Sequence, residues 1–129
     1  MEKMRCILIV DDDEIACFVA ERMLEPLDIA SEIKSLYNGK EVADYFEEAN
    51  GNFPDFVLLD INMPLMNGFE FLEWYEKNGF KGTTKFAMYT SSERPADKER
   101  AEGYEDVIGY ISKPIDKVKI EEVMMRMGQ

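Results

Sequence analysis

Residues 6–13 have the sequence CILIVDDD, in which five apolar side chains are followed at once by three aspartates. Three further short runs are apolar throughout, at Phe56–Leu59, Phe86–Tyr89 and Val107–Ile111. Continuous apolar runs of this length are typical of strands that helices cover on both faces. A fifth strand is predicted at Ser31–Tyr37, where charged and apolar residues are mixed, as at the edge of a sheet.

Helical patterns fill the gaps between these runs. The first helix repeats apolar residues that include Ile15, Phe18 and Val19, the spacing of an amphipathic helix. Five alternations of strand and helix predict an α/β domain with a parallel sheet and helices on both of its faces. The predicted helices are Asp13–Leu27, Gly39–Ala49, Gly68–Lys77, Pro95–Ala101 and Asp116–Met127.

Composition restricts the possible functions. The chain has 129 residues, of which 46% are hydrophobic, enough for one domain with a real core. Its net charge of −12 argues against nucleic acid or an anionic membrane as a partner, because phosphate binding depends on Lys and Arg. The chain contains no histidine, which excludes Ser-His and Cys-His catalysis and histidine metal ligands.

The two cysteines, Cys6 and Cys17, lie in an apolar run and in a helical pattern, which favours buried free thiols over a disulfide. The N-terminal segment lacks the pattern of a signal peptide, and no apolar stretch is long enough to span a membrane. We therefore expect a soluble cytoplasmic protein.

Polar residues follow the predicted strands directly. Asp11, Asp12 and Asp13 follow the first, Asp60 follows Leu59, Thr90 follows Tyr89, and Ser112 and Lys113 follow Ile111. Ligands of open α/β sheets bind at the carboxyl ends of the strands, so these side chains are expected to share one cleft. Several carboxylates in one cleft repel each other unless a cation is present. Ligands that are all oxygen favour Mg²⁺, or Mn²⁺ in its place.

A carboxylate-bound metal flanked by an ammonium and a hydroxyl suits a phosphoryl group. Lys113 and the metal would neutralise the phosphoryl oxygens, and the Thr90 hydroxyl would donate a hydrogen bond. One carboxylate could then act as the nucleophile and form an aspartyl phosphate. Asp60 is the best candidate, since it stands alone on its turn while the other aspartates crowd one another.

Four segments, spread across nearly the whole chain, are similar to the motifs of a known protein family. They are Ile9-Val10-Asp11-Asp12, Asp60-Ile61-Asn62-Met63-Pro64-Leu65-Met66-Asn67-Gly68, Thr90-Ser91-Ser92 and Gly109-Tyr110-Ile111-Ser112-Lys113-Pro114. In this order and spacing they resemble the receiver domain of two-component response regulators. The resemblance implies a flavodoxin-like (βα)₅ fold with strand order 2-1-3-4-5, forming a single receiver domain over residues 1–129 without an output domain.

The same resemblance implies the roles of individual residues. Asp60 would be phosphorylated by a histidine kinase or a histidine phosphotransfer protein. Asp12 and Asp60 would bind the metal through their side chains, Asn62 through its backbone carbonyl and Asp11 through water. Lys113 would pair with the phosphoryl group, and its peptide bond to Pro114 is expected to be cis.

Signalling would follow from a change of surface. Thr90 would move toward the phosphoryl group and allow the ring of Tyr110 to turn inward. A downstream protein would then bind near Pro95–Ala101 and the last strand and helix, with the domain a monomer or a weak phosphorylation-dependent dimer. The domain would act as a signalling module, catalysing only its own phosphorylation and dephosphorylation.

Two other functions are compatible with parts of the sequence. Asp11-Asp12-Asp13 contains the Asp-x-Asp pattern of Mg²⁺-dependent phosphohydrolases similar to haloacid dehalogenases, although Ile15 stands where Thr or Val is expected. An adaptor that has the receiver fold but is not phosphorylated is the second alternative. Retention of Asp12, Asp60, Thr90 and Lys113 argues against it.

Overall fold

A computed structural model describes residues 3–127 and contains five strands that alternate with five α-helices. All neighbouring strands are parallel, and their order in the sheet is β2-β1-β3-β4-β5. The predicted fold class and strand order are therefore confirmed. In chain order the elements are β1 (Met4–Val10), α1 (Glu14–Leu24), β2 (Ala30–Leu36), α2 (Gly39–Glu48), β3 (Phe56–Leu59), α3 (Gly68–Lys77), β4 (Lys85–Thr90), α4 (Pro95–Glu102), β5 (Val107–Ser112) and α5 (Lys117–Met127).

The helices form two layers that bury the sheet between them. One layer packs α1 and α5 against residues such as Ile7 and Leu58, and the other packs α2, α3 and α4 against residues such as Leu8 and Val57. The central strands β1, β3 and β4 therefore face apolar side chains on both sides, which explains the unbroken apolar run within each of them. No helix in residues 3–127 is long and apolar enough to cross a membrane.

The helix α1 differs from its prediction in two ways. It ends at Leu24, and the chain continues as a single 3-10 turn at Glu25–Leu27, where Pro26 cannot extend the α-helix. Its apolar side chains Ile15 and Phe18 face solvent, with 74% and 60% of their surface exposed. The core contacts of α1 come instead from Cys17, Ala20 and Leu24.

Gly68 holds the start of α3 against the turn that carries Asp60. A Cβ atom on Gly68 would collide with the carbonyl oxygen of Asp60 and would lie 3.1 Å from the Cα of Ile61. The amide of Gly68 also donates a hydrogen bond of 2.9 Å to the carbonyl of Ile61. Because these neighbours are backbone atoms, a side chain at position 68 could be admitted only by displacing the turn.

We expect Gly68→Ala to lower the free energy of unfolding by about 2–3 kcal/mol, the usual cost of overpacking a fixed backbone. Chemical denaturation measures this change. Gly51→Ala is the matched control: Gly51 has a φ of +88°, but no atom lies within 4 Å of the place that a Cβ would occupy, so its cost is conformational alone. That cost is about 1–2 kcal/mol. Equal losses in the two variants would contradict the packing explanation.

Candidate functional site

The carboxylates predicted to share a cleft do so. Asp11 and Asp12 follow β1 and Asp60 follows β3, its neighbour in the sheet. One carboxylate oxygen from each of the three residues lies within 4.8 Å of the others. Asp11 is fully buried, Asp60 is 5% exposed and Asp12 is open to solvent. Three acidic groups, two of them out of water, are thus held together at the carboxyl edge of the sheet.

Lys113 brings a positive charge into this cluster from the end of β5. Its Nζ lies 2.5 Å from Oδ2 of Asp11 and 3.4 Å from Oδ2 of Asp60. The backbone amide of Lys113 donates to the carbonyl of Thr90 at 3.0 Å, and the Lys113–Pro114 peptide bond is cis, as expected. The ammonium therefore lies between the two buried carboxylates.

The pKa values of Asp60 and Lys113 reflect this arrangement. Burial raises the pKa of Asp60 to about 6, against the opposing effect of the Lys113 charge, and nearby Asp11 raises it further. Burial tends to lower the pKa of Lys113, but its contacts with Asp11 and Asp60 outweigh burial and raise it. The single positive charge of Lys113 thus balances only part of the negative charge of the carboxylates.

The donor atoms of the cluster suit a cation. Oδ1 of Asp11 accepts a hydrogen bond from the amide of Asp13 at 3.0 Å. Its buried Oδ2 is paired with the ammonium of Lys113 at 2.5 Å. Because the clustered donors are carboxylate oxygens, the residues fit a hard divalent ion such as Mg²⁺ or Mn²⁺.

Asp13, the third aspartate of the run, has a structural role. Its Oδ1 accepts hydrogen bonds from the amides of Ile15 and Ala16, at 2.9 and 3.3 Å, and so caps the N-terminus of α1. Asp11 and Asp13 are therefore not presented together toward the cleft, as an Asp-x-Asp phosphohydrolase pair would require.

Thr90 and Tyr110 are linked through one residue, Ser92. The amide of Ser92 donates to Oγ1 of Thr90 at 3.1 Å, and the hydroxyl of Tyr110 donates to the carbonyl of Ser92 at 3.1 Å. Thr90 is fully buried, and the ring of Tyr110 is half-buried against the core layer of α2, α3 and α4. The Tyr110 hydroxyl is thus already bonded to the β4–α4 loop in this structure.

Exposed apolar side chains on α1 and in the β3–α3 loop were not anticipated. Besides Ile15 and Phe18 on α1, Leu65 in the β3–α3 loop is 78% exposed, and its φ of 68° is unusual for a branched residue. Asn62 lies in the same loop, two residues after Asp60, and is exposed. For α1, the sequence did contain a sign of this exposure. Residues 15–20 are all apolar and cover more than one turn of helix, so their side chains cannot all face the core.

Comparison with known proteins identifies the class. The model of the response regulator receiver domain family matches residues 7–125, and the chain belongs to this family. A two-component response regulator from Cytophaga hutchinsonii has a similar structure, with a TM-score of 0.90 and 26% identity over 98% of each chain. A two-component response regulator from Legionella pneumophila has a TM-score of 0.79 and 26% identity, covering 96% of this chain and 98% of that one.

Curated relatives are longer than this chain. The transcriptional regulatory protein CitT of Halalkalibacterium halodurans is 27% identical over 117 residues, which are 91% of this chain and 49% of CitT. The hybrid signal transduction histidine kinase L of Dictyostelium discoideum is 24% identical over 95% of this chain and 7% of that protein. The chain is therefore a receiver domain of the response-regulator family and spans less than half the length of both relatives.

Proposed function

We propose that this receiver domain accepts a phosphoryl group on Asp60 in a Mg²⁺-dependent reaction. The observation that carries the proposal is the convergence of Asp11, Asp12 and Asp60 within 4.8 Å, with the Lys113 ammonium 3.4 Å from Asp60. Such a site has negative charge to bind a metal and positive charge to bind phosphoryl oxygens. Its cationic and acidic groups are the ones that a phosphoryl acceptor needs.

The transfer uses Asp60 as the nucleophile. A carboxylate oxygen of Asp60 attacks phosphorus while the bond from phosphorus to the donor breaks. For a phosphohistidine donor, the imidazole nitrogen keeps the electron pair of that bond and takes up a proton from solvent. Lys113 pairs with the phosphoryl oxygens, and the hydroxyl of Thr90 donates a hydrogen bond to one of them. Hydrolysis of the acyl phosphate by water then restores Asp60.

The metal ligands we propose are the carboxylates of Asp12 and Asp60, the backbone carbonyl of Asn62, and Asp11 through water. The contacts of Asp11 support the last assignment, because its Oδ2 pairs with the Lys113 ammonium at 2.5 Å and its Oδ1 accepts from the amide of Asp13, so that water rather than this carboxylate is the expected direct ligand. When bound, Mg²⁺ supplies charge neutralisation of the phosphoryl oxygens. Lys113 alone cannot balance a phosphoryl group together with the three carboxylates.

A histidine kinase or histidine phosphotransfer protein is the proposed donor. Since this receiver domain has no histidine, the phosphohistidine has to come from outside it. Ile15 and Phe18 support a protein donor, because they are exposed apolar side chains on α1, the helix that begins directly after the aspartates that follow β1, and exposed apolar groups favour a docked partner. The proposed output is a change at the surface of α4, β5 and α5 that a downstream protein recognises, with Thr90 and Tyr110 as the switch.

Intact-mass spectrometry tests the proposal. Incubation with acetyl phosphate and Mg²⁺ is expected to add the mass of one phosphoryl group to the wild type. Chelation of the metal by EDTA and the Asp60→Asn substitution are both expected to abolish the addition. Asp44→Asn is the matched control, since Asp44 is an exposed acid on α2 with 53% of its side chain accessible.

Failure of the wild-type protein to gain a phosphoryl group would support the adaptor alternative. Equal addition to the wild type and Asp60→Asn would show that another residue is the acceptor.

A further inference from the structure

Ser92 uses three different groups to tie the β4–α4 loop to its surroundings. Its amide bonds to the hydroxyl oxygen of Thr90 and its carbonyl accepts from Tyr110, both at 3.1 Å. Its own hydroxyl donates to Oδ2 of Asp97 at 2.6 Å. Ser92 therefore contacts both Thr90 and Tyr110, and its hydroxyl, which also accepts from the amide of Arg94 at 3.4 Å, makes its shorter contact with Asp97.

Asp97 is well placed to hold Ser92 because it belongs to the first turn of α4. Arg94 also contacts Asp97, with its Nε 3.1 Å from the same oxygen that Ser92 reaches. The hydrogen bond from Ser92 is the main cause that lowers the pKa of Asp97, so this carboxylate stays ionised at neutral pH. Hydrogen bonds to ionised acceptors are stronger than neutral ones.

The rest of α4 is attached weakly. Ala101 is its only buried residue in the described chain, and its N-cap, Arg94, makes no side-chain capping bond. Toward its C-terminal end, Arg100 lies 4.4 Å from the ring centroid of Phe69. The contact between Asp97 and Ser92 is thus the main side-chain connection from the start of α4 to the loop.

We propose that Asp97 is a positioning residue that acts through the Ser92 hydroxyl to hold the β4–α4 loop in the conformation that binds the Tyr110 hydroxyl. Its effect on phosphoryl uptake rests on the function proposed above, whereas its effect on Tyr110 does not. The Ser92 amide occupies a lone pair of Thr90 Oγ1 and leaves the Thr90 proton free to donate to a phosphoryl oxygen. Asp97 thereby also fixes the rotamer of Thr90.

Fluorine NMR of protein labelled with 3-fluorotyrosine tests the first effect without any phosphoryl group. The Tyr110 resonance is assigned from its loss in Tyr110→Phe. In Asp97→Ala this resonance is expected to move toward the position of an exposed tyrosine. The ratio of molecules in which the Tyr110 hydroxyl is bonded to Ser92 to molecules in which it is not should fall about tenfold. Asp97→Asn keeps an oxygen that can accept from Ser92 but lacks the charge, so its Tyr110 resonance is expected between those of the wild type and Asp97→Ala.

Glu99→Ala is the matched control, since Glu99 is an exposed acid on the same helix. The Tyr110 resonance of this variant should equal that of the wild type. An unchanged Tyr110 resonance in Asp97→Ala would overturn the proposal. The same holds if Asp97→Asn behaves like Asp97→Ala, because the hydroxyl contact would then not be the route.

A double-mutant cycle identifies the route. If Asp97 acts through Ser92, Asp97→Ala should have almost no further effect on Tyr110 in a Ser92→Ala background. Additive effects of the two substitutions would overturn the proposal. Uptake from acetyl phosphate is expected to slow about threefold in Asp97→Ala, through the loosened Thr90. If the wild type takes up no phosphoryl group, the proposed function fails, while the fluorine spectra still decide the role of Asp97.

Discussion

Lys113→Ala is expected to lower the free energy of unfolding by about 3–5 kcal/mol at pH 7 in metal-free buffer, the cost of breaking a buried ion pair. The ammonium lies 2.5 Å from Asp11 and 3.4 Å from Asp60, and Asp11 is fully buried. Removing the ammonium leaves both charges in a poorly solvated cleft with no cation among the described residues to balance them. Urea denaturation measures the loss.

The loss should depend on metal and on pH. Millimolar Mg²⁺ is expected to recover much of the stability, because a dication can replace the missing charge. The deficit should also shrink as the pH falls, because the charge of Lys113 lowers the pKa of Asp60 from the value that burial alone would give, and the variant therefore protonates Asp60 at a higher pH than the wild type, in which this pKa is about 6. Lys117→Ala removes an exposed lysine from the start of α5 and serves as the control. A loss that matches this control would contradict the electrostatic description of the cleft.

Asp60→Asn is expected to abolish phosphoryl uptake and yet raise the stability of the metal-free protein by about 2 kcal/mol at pH 7. Burial raises the pKa of Asp60 from 3.8 to about 6, so the folded protein holds this proton more tightly than the unfolded chain does. The contribution of Asp60 to stability is thus fully present below about pH 4 and lost as the pH rises through about 6. An amide at position 60 avoids that loss.

Comparison of unfolding free energies between pH 4 and pH 8 tests this reasoning. The advantage of Asp60→Asn should be small near pH 4 and full above pH 6, and Mg²⁺ should stabilise the wild type more than the variant. Asp44→Asn, at an exposed position, should show no such pH-dependent advantage. A variant that is less stable than the wild type at pH 7 without metal would contradict the prediction.

The fold was predictable because a strand that is buried on both faces of the sheet has a continuous run of apolar residues in the sequence. The strands β1, β3 and β4 each contain an unbroken apolar run, and the carboxyl ends of parallel strands lie at one edge of the sheet. That geometry alone brings Asp11, Asp60 and Lys113 together, so the cluster followed from the topology.

The details that depend on side-chain packing were not predictable. The unbroken apolar segment of α1 does not indicate that Phe18 faces solvent, because every direction around the helix is apolar there. The three contacts of Ser92 join residues from β4, α4 and β5, whose relative positions exist only in the folded chain. Spacing predicts which groups meet at an edge, whereas packing decides which oxygen each of them contacts.

Locating the phosphoryl group on the chain tests the central claim most directly. After incubation with acetyl phosphate and Mg²⁺, borohydride reduces the acyl phosphate and marks the acceptor, which peptide mass spectrometry then identifies. We predict a single mark, at Asp60. A mark on Asp11 or Asp12, or none on any aspartate of the intact protein, would contradict the assignment of this cleft as a phosphoryl-accepting site.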